Sequence, residues 1–95
     1  MVIRIDEEKV KQIADFYGLK NQLKQLEEEC CELSVEALHY IREEGGTERM
    51  FEEMADVLIM IQQIIHLLGC GREDIEKYAE FKVNRQLSRI QREQK

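Results

Sequence analysis

At 95 residues and a formal net charge of −6, the chain has the length of one small domain and lacks the basic surface of a general nucleic-acid binder. It is 43% hydrophobic and 36% charged, with no Pro, no Trp and five Gly, which favours helices packed through narrow apolar stripes over sheets or disorder. Three cysteines, two of them adjacent, do not suit a disulfide framework, no signal-peptide pattern opens the chain, and the most apolar run, Val57 to Leu68, is broken by Gln62, Gln63 and His66, so a cytoplasmic protein without a membrane segment is expected.

Helix 1 is predicted to start near residue 7. Asp6 has the N-cap position, Glu7 and Glu8 occupy the first turn where the helix dipole favours acids, and Ile5 is placed to staple onto Val10. Val10, Ile13, Ala14 and Tyr17 make its apolar stripe, and Gly18 ends it in a left-handed conformation. Helix 2 follows from about Asn21, with Leu23, Leu26, Cys30, Leu33 and Ala37 as the core stripe. One position earlier runs a polar stripe, Gln22, Gln25, Glu29, Glu32 and Glu36, that borders the core and is where a lined pocket can form.

Gly45-Gly46 breaks the pattern, and Thr47 is the expected N-cap of helix 3. A hairpin symmetric about the glycine pair would leave the acids of the two helices about 9 Å out of level, because each residue advances about 1.5 Å. Helix 2 is therefore expected to stop early, near His39 to Arg42. Helix 3 is apolar on more than one face: Phe51, Met54, Leu58, Ile61, Ile65 and Leu68 form one row, and Val57, Ile59, Met60 and Ile64 fill adjoining ones. Such a helix requires burial nearly all round, and the surplus reads as a subunit interface of a homo-oligomer, dimer or tetramer. After Gly69-Cys70-Gly71, helix 4 is predicted from about Glu73 to near Arg92, with Ile75, Ala79, Val83, Leu87 and Ile90 inward and Lys82, Arg85, Arg89 and Arg92 along the adjoining face. The class expected is all-α: a four-helix bundle-like protomer over residues 1–95, with a short first helix, acidic second and third helices and a basic fourth.

The chemistry concentrates in two acid clusters, Glu28-Glu29-Cys30-Cys31-Glu32 and Glu53-Met54-Ala55-Asp56. Helical residues three apart share a face with Cβ atoms roughly 5–6 Å apart, so Glu29 pairs with Glu32 and Glu53 with Asp56. Two such pairs on adjacent helices make a four-carboxylate pocket. Like charges that close require a cation among them, and hard oxygen ligands suit Mg²⁺, or Mn²⁺ as a substitute. Residues 28–56 carry ten acids against two arginines, whereas 82–95 carry five basic residues against one acid. A basic helix facing a metal-loaded acidic pocket suits a phosphate chain, hence a nucleotide and not a polymer. His66 and Cys70, four apart, lack the further ligands of a zinc site.

Glu28-Glu29-x-x-Glu32, about twenty residues, then Glu53-x-x-Asp56 leading into an apolar helix resembles the MazG-like, all-α nucleotide pyrophosphohydrolase family. Gln22-Leu23, Ala55-Asp56-Val57-Leu58 and the basic Lys82-x-x-Arg85 extend the likeness over nearly the whole chain. The resemblance implies hydrolysis of a (deoxy)nucleoside triphosphate to monophosphate and pyrophosphate. Glu29, Glu32, Glu53 and Asp56 would hold Mg²⁺, and Glu28 and Glu32 would serve the attacking water. Lys82 and Arg85 would clamp distal phosphates, in the same chain or across a subunit interface, while Gln22 and Gln25 would meet the sugar or base at the helix 1–2 junction. Two other readings stand beside this one. A di-iron carboxylate bundle would use Glu-x-x-His pairs, which neither cluster contains. A non-catalytic helical interaction module would explain the apolar excess but not the acids beside a buried seam.

Overall fold

The computed structural model describes residues 3–94. Four helices follow in order, α1 (Glu7–Tyr17), α2 (Leu19–Ile41), α3 (Thr47–Leu67) and α4 (Arg72–Glu93), with no strand among the described residues, so the all-α, four-helix architecture holds. No helix among these residues is long and apolar enough to cross a membrane.

The first two boundaries follow from local chemistry. The Asp6 carboxylate accepts the Lys9 backbone N–H at 3.1 Å, capping α1 where the sequence predicts it. Gly18, at φ +83°, closes α1 by donating its N–H to Ala14 O at 2.8 Å. Its own carbonyl accepts from Gln22 at 3.1 Å, so α2 begins at Leu19, two residues before the expected start. A positive φ there favours glycine, which has no Cβ to clash.

α2 stops at Ile41, as the level of the acids requires. The reversal itself is made by Glu43, which adopts φ +60°, while the Glu44 N–H returns to His39 O at 2.8 Å. Thr47 is the first helical residue and not the cap: Gly46 holds that position, and no side chain caps α3.

α2 and α3 pack antiparallel through a seam with a repeat that the polar residues mark. Gln22 meets Gln63, Glu29 meets Asp56, and Glu36 meets Arg49. Each step is seven residues up α2 and seven down α3, so the contacts form polar layers about 10 Å apart in a coiled-coil-like register. α1 lies mainly on α3, burying Val10 and Ala14 beside a core to which α3 contributes Met60 and Ile64. His66 Nε2 and Asp15 Oδ1, 2.8 Å apart, tie the same two helices at the surface, so His66 does not share a site with Cys70.

Three expectations need correction. On α2 the polar stripe lies deeper than the apolar one: Gln22 and Glu36 are buried, Leu26, Leu33 and Ala37 half-buried, and Leu23 and Cys30 exposed. The cause is coverage, since α1 and α3 close over the Gln22–Glu36 line and leave the apolar line at the seam's edge. On α3, Met60, Gln63 and Ile64 are the buried positions, whereas Phe51, at 63% exposure, Met54, Ile61 and Leu68 face outward. On α4 the expected inward residues Ile75, Ala79, Val83, Leu87 and Ile90 are all exposed, because the helix makes at most marginal contact with the other three. The radius of gyration, 16.1 Å, accordingly exceeds the ~12–13 Å of a compact domain this long.

Candidate metal centre

The middle layer of the α2–α3 seam carries the acids. Glu29 from α2 and Glu53 and Asp56 from α3 each offer a carboxylate oxygen, and these oxygens lie within 4.8 Å of one another. Seven-residue periodicity places Glu29 opposite Asp56, and the helical step of three adds Glu53 to the same face.

The donors around this group are few. Gln25, one turn before Glu29, donates its Nε2 to Glu29 Oε1 at 2.8 Å and so fixes the rotamer of that carboxylate. Glu29 Oε2 and Glu53 Oε2 are buried and have no hydrogen-bond partner among the described residues. Leaving such an oxygen without a donor costs about 1–3 kcal/mol, more when it is charged. A cation between the two would satisfy both, so the donor set fits a hard divalent ion.

Electrostatics bear the mark of the crowding. The Asp56 carboxyl is held above its ordinary pKa, first by burial, then by the charge of Glu29 and by the hydrogen bond that its protonated form can donate to Glu29, with Glu52 adding repulsion. Glu32 is raised chiefly by the charge of Glu29, with burial, Glu53, a hydrogen bond to Glu29 and Asp56 contributing less. Glu32 is exposed at the rim and does not belong to the three-acid group itself. Glu28 is also exposed, about 100° round the helix from Glu29.

The other candidates fall elsewhere. Gln22 is buried in the lower layer, where its Nε2 donates to Gln63 Oε1 at 2.6 Å, so its amide is committed to α3. Lys82 and Arg85 stand on the exposed α4, which does not bring them to the acids of the same chain. Three residues at the site escape a search for acid motifs: Gln63, Arg49 and His39. Arg49, Asp56 and Gln63 are spaced seven apart on α3, but Glu48, Glu52, Glu53, Gln62 and His66 on the same helix hide that register in the sequence. His39, at 3.6 Å from Glu36 Oε2, has no comparable signature. Comparison with known proteins found no matching family model, no matching curated protein and no matching solved structure.

Proposed function

We propose that this chain is a Mg²⁺-dependent nucleotide pyrophosphohydrolase of the MazG-like type, hydrolysing a (deoxy)nucleoside triphosphate to the monophosphate and pyrophosphate. The observation that carries this reading is the pair of donorless buried oxygens, Glu29 Oε2 and Glu53 Oε2, within a three-acid group assembled from two helices. Glu29, Glu53 and Asp56 would hold the ion, with Glu32 closing the set from the rim. An all-oxygen anionic site suits Mg²⁺, with Mn²⁺ as a substitute, and contains no histidine of the kind a di-iron bundle uses. Bound there, the ion supplies charge neutralisation at phosphate oxygens and a lowered pKa for water.

The side chains supply the rest. Glu32, at the rim of the acid group, accepts the proton as water oxygen attacks the α-phosphorus and the bond to the pyrophosphate oxygen breaks. Glu28, on the outer face, orients that water. Gln25 keeps Glu29 in its ligating rotamer. Lys82 and Arg85 clamp the distal phosphates from the α4 of a second copy.

Surface area supports an oligomer. The chain exposes 8050 Å², whereas a folded monomer of this mass exposes about 5,700 Å². The excess is of the size that obligate interfaces bury. The exposed apolar residues of α3 and α4 are what such an interface would cover. Free, exposed Cys30, Cys31 and Cys70 suit the reducing cytoplasm where nucleotide pools reside.

Pyrophosphate release from a panel of ribo- and deoxynucleoside triphosphates, with Mg²⁺ and with chelator, tests the reading. Release that needs Mg²⁺ and yields the monophosphate is the expected result. Orthophosphate as the first product, or no turnover of any triphosphate, would contradict it.

A further inference from the structure

Between the acid layer and the 42–46 loop, α2 and α3 leave a groove of about 390 Å³, within the size range of small-molecule sites. Glu32 and Glu53 form one end of it, so it opens directly onto the acid group. Glu36, His39 and Arg49 line the other end.

Glu36 is the unusual member. It is 4% exposed, yet its Oε1 has no hydrogen-bond partner among the described residues. Arg49 Nε stands 3.7 Å from Oε1, close enough to balance its charge, and His39 Nδ1 stands 3.6 Å from Oε2, both too far to complete hydrogen bonds. The loop closes over the group: a Cβ on Gly45 would lie 2.7 Å from Glu36 Oε1. A carboxylate held this way is an acceptor in want of N–H donors.

We propose that this groove receives the base of the nucleotide, and that Glu36 with Arg49 reads the Watson–Crick edge of guanine. The assignment rests on the pyrophosphohydrolase reading for the position of the phosphates. Glu36 is two helical turns from Glu29 on the same face of α2, about 10 Å along the axis, so phosphates at the acid layer put the base beside the loop. Guanine alone among the common bases presents two adjacent N–H donors, at N1 and N2, which match the two oxygens of one carboxylate once Gly45 draws back from Glu36 Oε1. The neighbouring O6 accepts from the Arg49 guanidinium. Adenine and cytosine offer one amino donor beside a ring nitrogen that a carboxylate repels, and uracil offers one N–H between two carbonyls. The base site thus lies at the far end of the seam from the helix 1–2 junction expected from sequence.

Calorimetric titration with GMP and IMP in chelator tests the base site apart from the reaction, because the hypoxanthine of IMP differs from guanine only in lacking the N2 amino group. GMP should bind roughly ten- to a hundredfold more tightly than IMP. Glu36→Gln should bring the two close to parity. Gly45→Ala, whose Cβ displaces the same carboxylate while the backbone tolerates it, should move in the same direction. Pyrophosphate release from GTP, ITP, ATP and UTP with Mg²⁺ is measured in parallel and should rank GTP first. Equal binding of GMP and IMP by the wild type overturns the base assignment, and if pyrophosphate is still released the reaction stands without it. GMP binding that depends on Glu36, with no pyrophosphate release from any triphosphate, upholds the base site and overturns the reaction. Absence of both overturns both.

Discussion

Gln22 and Gln63 are 6% and 2% exposed, and each answers the other through a 2.6 Å bond between their amides. Gln63 Nε2 has only the weak Met60 sulfur, at 3.7 Å, as its second partner. Gln63→Leu should therefore strand the Gln22 amide and destabilise the fold by about 1–3 kcal/mol, whereas the double change to leucine should recover most of that loss. Urea denaturation of the three proteins checks it, and additive losses in the double variant would show that the amides do not act as a pair. The acids behave in the opposite sense. Asp56 and Glu32 have folded-state pKa values raised above their ordinary ones, so each contributes stability that is complete below its ordinary value and lost as pH rises through the folded value. At neutral pH, without metal, both therefore oppose folding. Asp56→Asn should raise the melting temperature in chelator at pH 7 by roughly 1–3 °C and remove part of its fall as pH rises above the ordinary aspartate value. A variant that melts lower at pH 7 than the wild type would make Asp56 a structural partner.

Helix boundaries were legible in sequence where a local rule decides them, as at Asp6, Gly18 and the stop at Ile41. They were not legible where two candidates competed: Thr47 is a better cap by composition than Gly46, but the chain enters α3 one residue too early for its hydroxyl to serve. The larger miss concerns faces. Periodicity identified the two stripes of α2 correctly but ranked them by hydrophobicity, whereas depth was set by which neighbour covers which stripe. The same holds for α4, whose apolar residues, Phe81 at 66% exposure among them, have nothing of their own chain to meet. On the proposed reading an interface between copies would account for both, and α4 would then carry Lys82 and Arg85 to the acid layer of the neighbour. Light scattering at micromolar concentration should give at least a dimer. Phe81→Asp should shift it toward monomer and abolish pyrophosphate release, while Lys82→Ala and Arg85→Ala should lower turnover without dissociation. A well-folded wild-type monomer would contradict the placement.

At the scale of the whole molecule, a chain with a small buried core places three of its most buried side chains, Gln22, Glu36 and Gln63, in polar layers of one seam. Stability alone would favour leucine at such positions. The acid layer in the middle was legible because Glu29, Glu53 and Asp56 lie in a compact motif; Arg49 was not, because an exposed arginine acquires meaning only once the register sets it against Glu36. The central claim is that the acids are crowded for a metal and not for the fold. Thermal melts of wild type, Glu53→Gln and Asp56→Asn, each in chelator and in millimolar Mg²⁺, test that claim most directly. The account predicts that the variants are at least as stable as wild type in chelator, and that Mg²⁺ raises the wild-type melting temperature much more than theirs, since an ion that binds only the folded state stabilises it by mass action. Variants clearly less stable than wild type in chelator, with the same Mg²⁺ shift in all three proteins, would contradict it.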